Sequence, residues 1–270
     1  MANNRMRAVL GIDAAWMSKN PSGIALAQQK SDGWHMVKVC SCYEDFLRRT
    51  PGSFPSIAPS AGEILDECNR LLSENVDLVA VDMPLSHSPI EGRRLSDNKV
   101  SAHYGSRQCG THSPNASCPG LLSAKLVEEF ERRGYPLRTA QPVQGGLIEV
   151  YPHPALVELM NAPERLTYKC GKVSRYWPRQ TREERWQSLR KTWQLIVEAL
   201  DGVFCRTVSG QLPELKEEMS ARKKKAFEDA VDAVVCAWVG ICALAGMAVA
   251  YGDDDSAIWI PSNTAKSFRG

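Results

Sequence analysis

The stretch AFEDAVDAVVCAWVGICALAGMAVA, Ala226 to Ala250, decides how the rest of the chain is read. Almost every position is apolar or small, so it reads as one long helix buried around its whole circumference. Asp229 and Asp232 break that composition, and their three-residue spacing sets them one turn apart on one face. An ionised carboxylate in such surroundings is costly unless a partner or a cation meets it. Ala233, Cys236 and Gly240 continue that face with small residues, so it can lie close against a sheet while its first turns present the acids. The stretch is also about as long as a bilayer span and follows Arg222, Lys223, Lys224 and Lys225. An Asp inside it, and its content of Ala, Gly and Cys, favour packing on a sheet over insertion into lipid, so no membrane partner is expected.

The whole chain sets the frame for that helix. At 270 residues, with 43% hydrophobic and 24% charged residues, it can bury a core large enough for a single domain carrying insertions. A formal net charge of +2 creates no strong field toward nucleic acid, so any such contact has to come from local patches. The nine cysteines, Cys40, Cys42, Cys68, Cys109, Cys118, Cys170, Cys205, Cys236 and Cys242, form an odd set without small-scaffold spacing. With MANNRMRAVL lacking the apolar core of a secretion signal, they read as free thiols in a cytoplasmic protein.

Ahead of the long helix the chain alternates strand and helix signals. AVLGID, Ala8 to Asp13, is a short apolar run ending on an acid. The turn residues of Met17 to Gly23 precede a second run, GIALA, and HMVKVC, His35 to Cys40, alternates as a half-exposed third strand. Short turns make these three a meander, hence antiparallel. Ala61 to Glu74 has helical spacing at Ile64, Leu65, Cys68, Leu71 and Leu72, and DLVAVD, Asp77 to Asp82, follows as a buried strand. A helix between two strands favours a parallel return. Met83 to Gly120 is a long loop insertion rich in Ser, His, Pro, Gly and Arg, of a length that suggests a functional lid. Leu121 to Arg133 is helical again, and LIEVYP, Leu147 to Pro152, is a strand with Glu149 on the face opposite Ile148 and Val150. A short helix near Ala155 to Met160 leads into a helical, basic insertion over 161–225, which holds a helix ending near Leu200. AIWIP, Ala257 to Pro261, adds an edge strand after the long helix.

Acids now stand at telling places: Asp13 and Asp82 closing strands, Glu149 within one, Asp229 and Asp232 on the late helix. GIDAAW with PSGIALA, VAVDMP, EVYPHPAL and EDAVDAVVCAW, in that order, resemble the domain-of-unknown-function 429 family, predicted nucleases of ribonuclease H-like fold. The resemblance covers nearly the whole chain and rests on the order of motifs that are weak singly. It implies an α/β fold with a ribonuclease H-like mixed sheet, three antiparallel strands then parallel ones, and helices on both faces. It further implies two Mg²⁺ or Mn²⁺ ions held by Asp13, Asp82, Glu149 and Asp232, with Asp229 sharing or substituting, and a nucleic-acid substrate, DNA or RNA. Glu149 departs from the superfamily pattern by lying one strand late.

Chemistry supplies a separate reason for such a cluster. Two hard cations about 3.5 to 4 Å apart activate water on one side of a phosphodiester and stabilise the leaving oxygen on the other, and carboxylates are their preferred ligands. Carboxylates converging without cations would repel one another and raise each other's pKa values. Against this stand plainer readings: Asp13 capping a turn, Glu149 pairing an Arg, Asp229 solvated beside Glu228, and Asp232 a buried hydrogen-bonded acid. His103, Cys109, His112 and Cys118 are zinc-capable types without a familiar zinc spacing, and His87 or His112 could orient a water or phosphate. Substrate contact is expected from Lys172, Arg175, Arg179 and Arg182, interleaved with Tyr176 and Trp177, and from Arg93, Arg94 and Arg107 in the long loop. Two other functions fit parts of the pattern. The GID strand, turn and SGIALA resemble the first phosphate hairpin of actin-like and sugar-kinase-like phosphotransferases, though no second Gly-rich phosphate loop or adenosine motif follows. A non-catalytic nucleic-acid-binding or scaffold protein would keep the fold with an idle site.

Overall fold

A computed structural model of the chain describes residues 6–16, 21–49 and 59–262. Its first elements are β1 (Ala8–Asp13), β2 (Gly23–Lys30), β3 (Gly33–Cys40), α1 (Tyr43–Phe46), α2 (Ala61–Leu72) and β4 (Leu78–Val81). Then come α3 (Leu95–Tyr104), α4 (Leu121–Arg132), β5 (Gly146–Val150), α5 (Pro152–Met160), α6 (Val173–Tyr176) and α7 (Arg182–Val203). The chain closes with α8 (Ala221–Leu244), β6 (Ala248–Gly252) and β7 (Ala257–Pro261).

The strands form one seven-stranded sheet in the order β3-β2-β1-β4-β5-β7-β6. β1, β2 and β3 pair antiparallel, as a meander on short turns requires, while β4, β5 and β7 join parallel beyond β1. Period-two alternation divides the apolar side chains between two faces. Leu10, Ile12, Leu26, Val79, Val81 and Leu147 pack against Ile64, Leu65 and Cys68 of α2 and Val127 and Phe130 of α4. Val9, Ala25, Ala27, Leu78, Ala80, Ile148 and Val150 pack against α5, α7 and α8, with Trp193 and Phe227 buried there. Helices therefore cover both faces of a mixed sheet, the ribonuclease H-like layout expected. Capping boxes start α2 at Ser60 and Glu63 and α7 at Thr181 and Glu184, satisfying amides that the first turn leaves open.

Three expectations need correction. The apolar stretch is not helical to Ala250: α8 ends at Leu244, Gly246 turns with φ 71°, and Ala248 begins β6. Composition does not change across that break, so no local signal marked it. AIWIP is not an edge strand, because β7 lies between β5 and β6 and the edge belongs to β6. The Met83–Gly120 segment is not all loop either. It contains α3, whose Val100 and Tyr104 cluster with Ile258 and Ile260 of β7. The sequence LSDNKVSAHY has no apolar stripe, so this helix depends on tertiary contact rather than on its own pattern. Residues 17–20 of the expected Met17–Gly23 turn lie outside the described residues. Among the described residues no helix is long and apolar enough to cross a membrane.

Candidate carboxylate centre at the strand ends

β1 and β4 run side by side with Ile12 opposite Val81, and the Asp82 amide donates to the Ile12 carbonyl at 2.8 Å. Asp13 and Asp82 are thus neighbours at the C-terminal ends of two parallel strands. Alternation puts Asp13 on the side of Val9 and Gly11, and Asp82 on the side of Leu78 and Ala80, which is the side α8 covers. α8 comes close because the sheet offers it no side chains at two positions. A Cβ on Gly11 would overlap the Ala233 carbonyl oxygen, and one on Gly23 the Asp229 carbonyl oxygen. Gly23 pairs with Asp13 across β2 and β1, so its bareness sets the Asp229 turn of α8 beside Asp13.

Five acids meet there with two lysines. Asp232 is 0% exposed; Tyr168 Oη donates to its Oδ1 at 2.8 Å and Lys169 Nζ to its Oδ2. Glu228 accepts from the Cys170 amide at 2.6 Å and lies 3.5 Å from Lys169 and 3.3 Å from Lys225. Asp229 is 2% exposed and pairs with Lys225, yet its Oδ2 is buried without a partner among the described residues. It is not the solvated acid that its place near the helix start suggested. Among the described residues Asp13 and Asp82 accept no side-chain hydrogen bond. Burial, then the nearby Asp232 carboxylate, pushes Asp13 well above the usual carboxylate range, with Asp82 and Asp229 adding to it. The same two causes raise Asp82 to about 7. Burial likewise raises Asp232 and Asp229, against the pull of Lys169 and Lys225 respectively. Burial is the largest single influence on Lys169 and works against its charge, but Asp232, Tyr168, Glu228 and Asp13 together outweigh it and hold the ammonium. Asp13, Asp82, Glu228, Asp229 and Asp232 against Lys169 and Lys225 leave three formal negative charges in excess.

The donor set fits a hard divalent cation: all oxygen, more acids than lysines, and one buried oxygen, Asp229 Oδ2, unpartnered among the described residues. Among the described residues Asp13, Asp82 and the Asp229 Oδ2 are the oxygens with no side-chain donor, whereas Asp229 Oδ1 is held by Lys225 and both Asp232 oxygens by Tyr168 and Lys169. No three of these acids bring oxygens within 4.8 Å of one another. The one group of three that does among the described residues is Asp32, His35 and Cys205. Asp32 lies in the β2–β3 turn, at the far end of β2 from Gly23. Ions at the carboxylate centre would therefore complete their shells with water, as Mg²⁺ commonly does.

Glu149 stands apart from this centre. Val81 is its partner in register, so it shares the Leu147 side of the sheet and leaves Val150 as the neighbour of Asp82. Its Oε2 accepts from Arg94 Nη1 at 2.6 Å and from the Leu85 amide at 2.7 Å, and its Oε1 from Arg94 Nη2 at 2.7 Å. Arg94 also donates to Asp97 from Nε and Nη2, both at 3.0 Å, and to the Leu85 carbonyl at 2.8 Å. All five guanidinium N–H groups are occupied. The structure thus gives Glu149 and Arg94 to each other, in place of the metal and the substrate expected from the sequence. Only the charge of Glu149 reaches the centre, adding to the rise at Asp82.

The other expected contacts divide similarly. Arg93 bonds Asn98, Ser113 and the Asp97 and Thr111 carbonyls, and Arg107 bonds Glu158 and the Ala162 and Pro163 carbonyls. Both tie the 83–120 segment to itself or to α5. Lys172, Arg175 and Arg179 make no ion pair among the described residues, and Arg175, Arg179 and Arg182 are exposed. His103, Cys109, His112 and Cys118 do not converge: Cys109 is buried in the α3 cluster and His103 stacks on Tyr104 and Tyr251. His87 lies 3.8 Å from Glu131 of α4, on the side of the sheet away from α8. Sequence reasoning missed Lys169, Tyr168, Lys225 and Glu228. Glu228, one turn before Asp232, and Lys225, four residues before Asp229, carried local signals; Tyr168 and Lys169 did not.

The sheet and this centre define a class, an α/β protein of ribonuclease H-like layout with carboxylates at the ends of two parallel strands and on the helix that crosses them. A family model described as "Protein of unknown function (DUF429)" matches residues 11–256, and the chain belongs to that family. Comparison with curated proteins and with solved structures yields no match.

Proposed function

We propose that the protein is a metal-dependent phosphodiesterase or nuclease, with Asp13, Asp82 and Asp229 as ligands of Mg²⁺ or Mn²⁺ and Asp232 beside them. The observation that carries the reading is the surplus of acids over lysines at this centre, with the Asp229 Oδ2 unpartnered among the described residues and Asp13 and Asp82 raised by burial and by the Asp232 carboxylate. Bound cations there would activate a water and stabilise the leaving oxygen of a phosphodiester.

The chain's own residues do the remaining work. Tyr168 and Lys169 hold the Asp232 carboxylate in one orientation, and Lys169 places a positive charge at the mouth of the acids, where a phosphate would come near. Lys172, Arg175 and Arg179, without acidic partners among the described residues, supply the phosphate-facing charge of a nucleic-acid partner. Nine free thiols suit a reducing, cytoplasmic setting. Labelled single-stranded and duplex DNA and RNA, incubated with the protein and Mn²⁺, test the reading. Cleavage that needs both the metal and Asp82, lost in Asp82→Asn, supports it. Cleavage undiminished in Asp82→Asn, or cleavage of none of the substrates, counts against it.

A further inference from the structure

The β2–β3 turn meets the turn that follows α7, although Cys205 lies 173 residues after Asp32. Asp32 closes the short turn between Lys30 and Gly33, and His35 follows on β3. Cys205 comes just after α7, where it and Arg206 take the left-handed conformation, at φ 49° and 58°, that residues with a side chain seldom adopt. The turn is pinned from two sides. The amides of Val208 and Ser209 donate to Asp201 Oδ1 at 2.8 and 3.1 Å, and the Met36 amide of β3 donates to Thr207 Oγ1 at 2.8 Å. Gly33, at φ 134°, leaves the thiol its place, because a Cβ there would stand 2.7 Å from Cys205 Sγ. His35 Nε2 lies 2.8 Å from Asp32 Oδ1, and Cys205 Sγ donates to the Asp32 carbonyl at 3.4 Å. One imidazole nitrogen, one carboxylate oxygen and one thiol sulfur thus lie within 4.8 Å of one another, the one such trio among the described residues.

We propose that Asp32, His35 and Cys205 form a Zn²⁺ site that clips the β2–β3 turn to the end of α7. The three donor types are those zinc takes, and a thiolate with an imidazole disfavours Mg²⁺ and Mn²⁺, which prefer oxygen. A tetrahedral Zn²⁺ with bonds of about 2.0 to 2.3 Å spaces its ligand atoms by about 3.3 to 3.6 Å. The His35–Asp32 pair therefore opens from 2.8 Å by roughly half an ångström, and the thiol closes by at most about 1.2 Å. Such shifts are open to these side chains, since Asp32 and Cys205 are exposed and His35 is half-buried. His35 binds through one nitrogen with its proton on the other, and Cys205 gives its proton to solvent. The ligands are then a neutral imidazole, a carboxylate and a thiolate, whose two charges balance the ion, and a water takes the fourth corner. The site lies at the far end of β2 from Gly23, so it neither uses the carboxylate centre nor depends on the nuclease reading.

The test is titration of the full chain, reduced and stripped of metal, with Co²⁺ as a coloured stand-in for Zn²⁺. A thiolate-to-cobalt absorption band is expected, with the intensity of one such bond per chain and bleached when Zn²⁺ displaces the cobalt. Cys205→Ser should abolish the band. In Asp32→Asn and in His35→Gln the Co²⁺ concentration at half-development should rise at least about tenfold, the low end of what loss of a group supporting a metal ligand costs. Asp82→Asn should leave the band unchanged, which separates this site from the acids, and circular dichroism checks that each variant is folded. No band at saturating Co²⁺, no bleaching by Zn²⁺, or a full band in Cys205→Ser overturns the proposal. Half-development unchanged in both Asp32→Asn and His35→Gln also overturns it, because the cysteine would then bind alone.

Discussion

Replacing Arg94 with Met removes the one cation shared by two buried carboxylates. Glu149 is 3% exposed and Asp97 2%, and Arg94 joins them through four hydrogen bonds of 2.6 to 3.0 Å. After Arg94→Met, Glu149 keeps the Leu85 amide and Asp97 keeps the backbone amide of residue 94, each one donor for a full negative charge. Breaking a buried pair from one side costs about 3–5 kcal/mol. For a chain of this size 1 kcal/mol moves Tm by about 2–4 °C, so calorimetry should show a fall on the order of 10 °C. Glu149→Gln leaves Arg94 with Asp97 and should cost less, about 1–3 kcal/mol. The double variant should lose less than the sum of the two, because each single change already breaks the shared contact. Mn²⁺ should raise Tm equally in wild type and Glu149→Gln, since Glu149 is held away from the acids by Arg94. A Tm in Arg94→Met within about 2 °C of wild type would refute the clamp, and a Mn²⁺ shift abolished by Glu149→Gln would return that residue to the metal.

Other perturbations follow from the same geometry. In EDTA the raised Asp82 means that the folded state binds more protons than the unfolded one between about pH 4 and 7, and the raised Asp13 acts in the same direction. Their contribution to stability is therefore greatest below pH 4 and falls as pH rises through 7, and saturating Mn²⁺ should flatten the profile, as urea unfolding across pH can show. Gly23→Ala forces a Cβ into the Asp229 carbonyl and should cost about 1–3 kcal/mol or more while weakening Mn²⁺ binding. Gly202→Ala, in α7 with open space around it, should instead stabilise by about 0.5–1 kcal/mol in the same melts. Lys169→Met leaves Asp232 and Glu228 without their shared ammonium, and should lower metal-free stability by about 3–5 kcal/mol, partly restored by Mn²⁺.

Much of the sheet was legible because its signals are local. AVLGID, GIALA and LVAV are apolar runs bounded by turns or acids, and the strand parity that places Asp13 and Asp82 under α8 can be counted from Val9 and Leu78. The same parity already separated Glu149 from Ile148 and Val150, and so from those acids, although the family resemblance suggested otherwise. The small-residue face of α8 at Ala233 and Gly240 does lie on β1 and β4. What could not be read was set by contacts distant in sequence. α3 forms on β7 without a stripe of its own, α8 and β6 are continuous in composition, and Lys169 reaches Asp232 from 63 residues away. Arg94 looked like a loose loop cation because nothing near it in sequence announces Glu149, 55 residues on.

The most direct test of the carboxylate centre is anomalous scattering from crystals soaked in Mn²⁺. Peaks are expected within about 2.2 Å of carboxylate oxygens of Asp13, Asp82 and Asp229, and absent after Asp82→Asn. Peaks confined to Asp32, His35 and Cys205, or none at all beside ordered Asp13 and Asp82 side chains, would contradict the account.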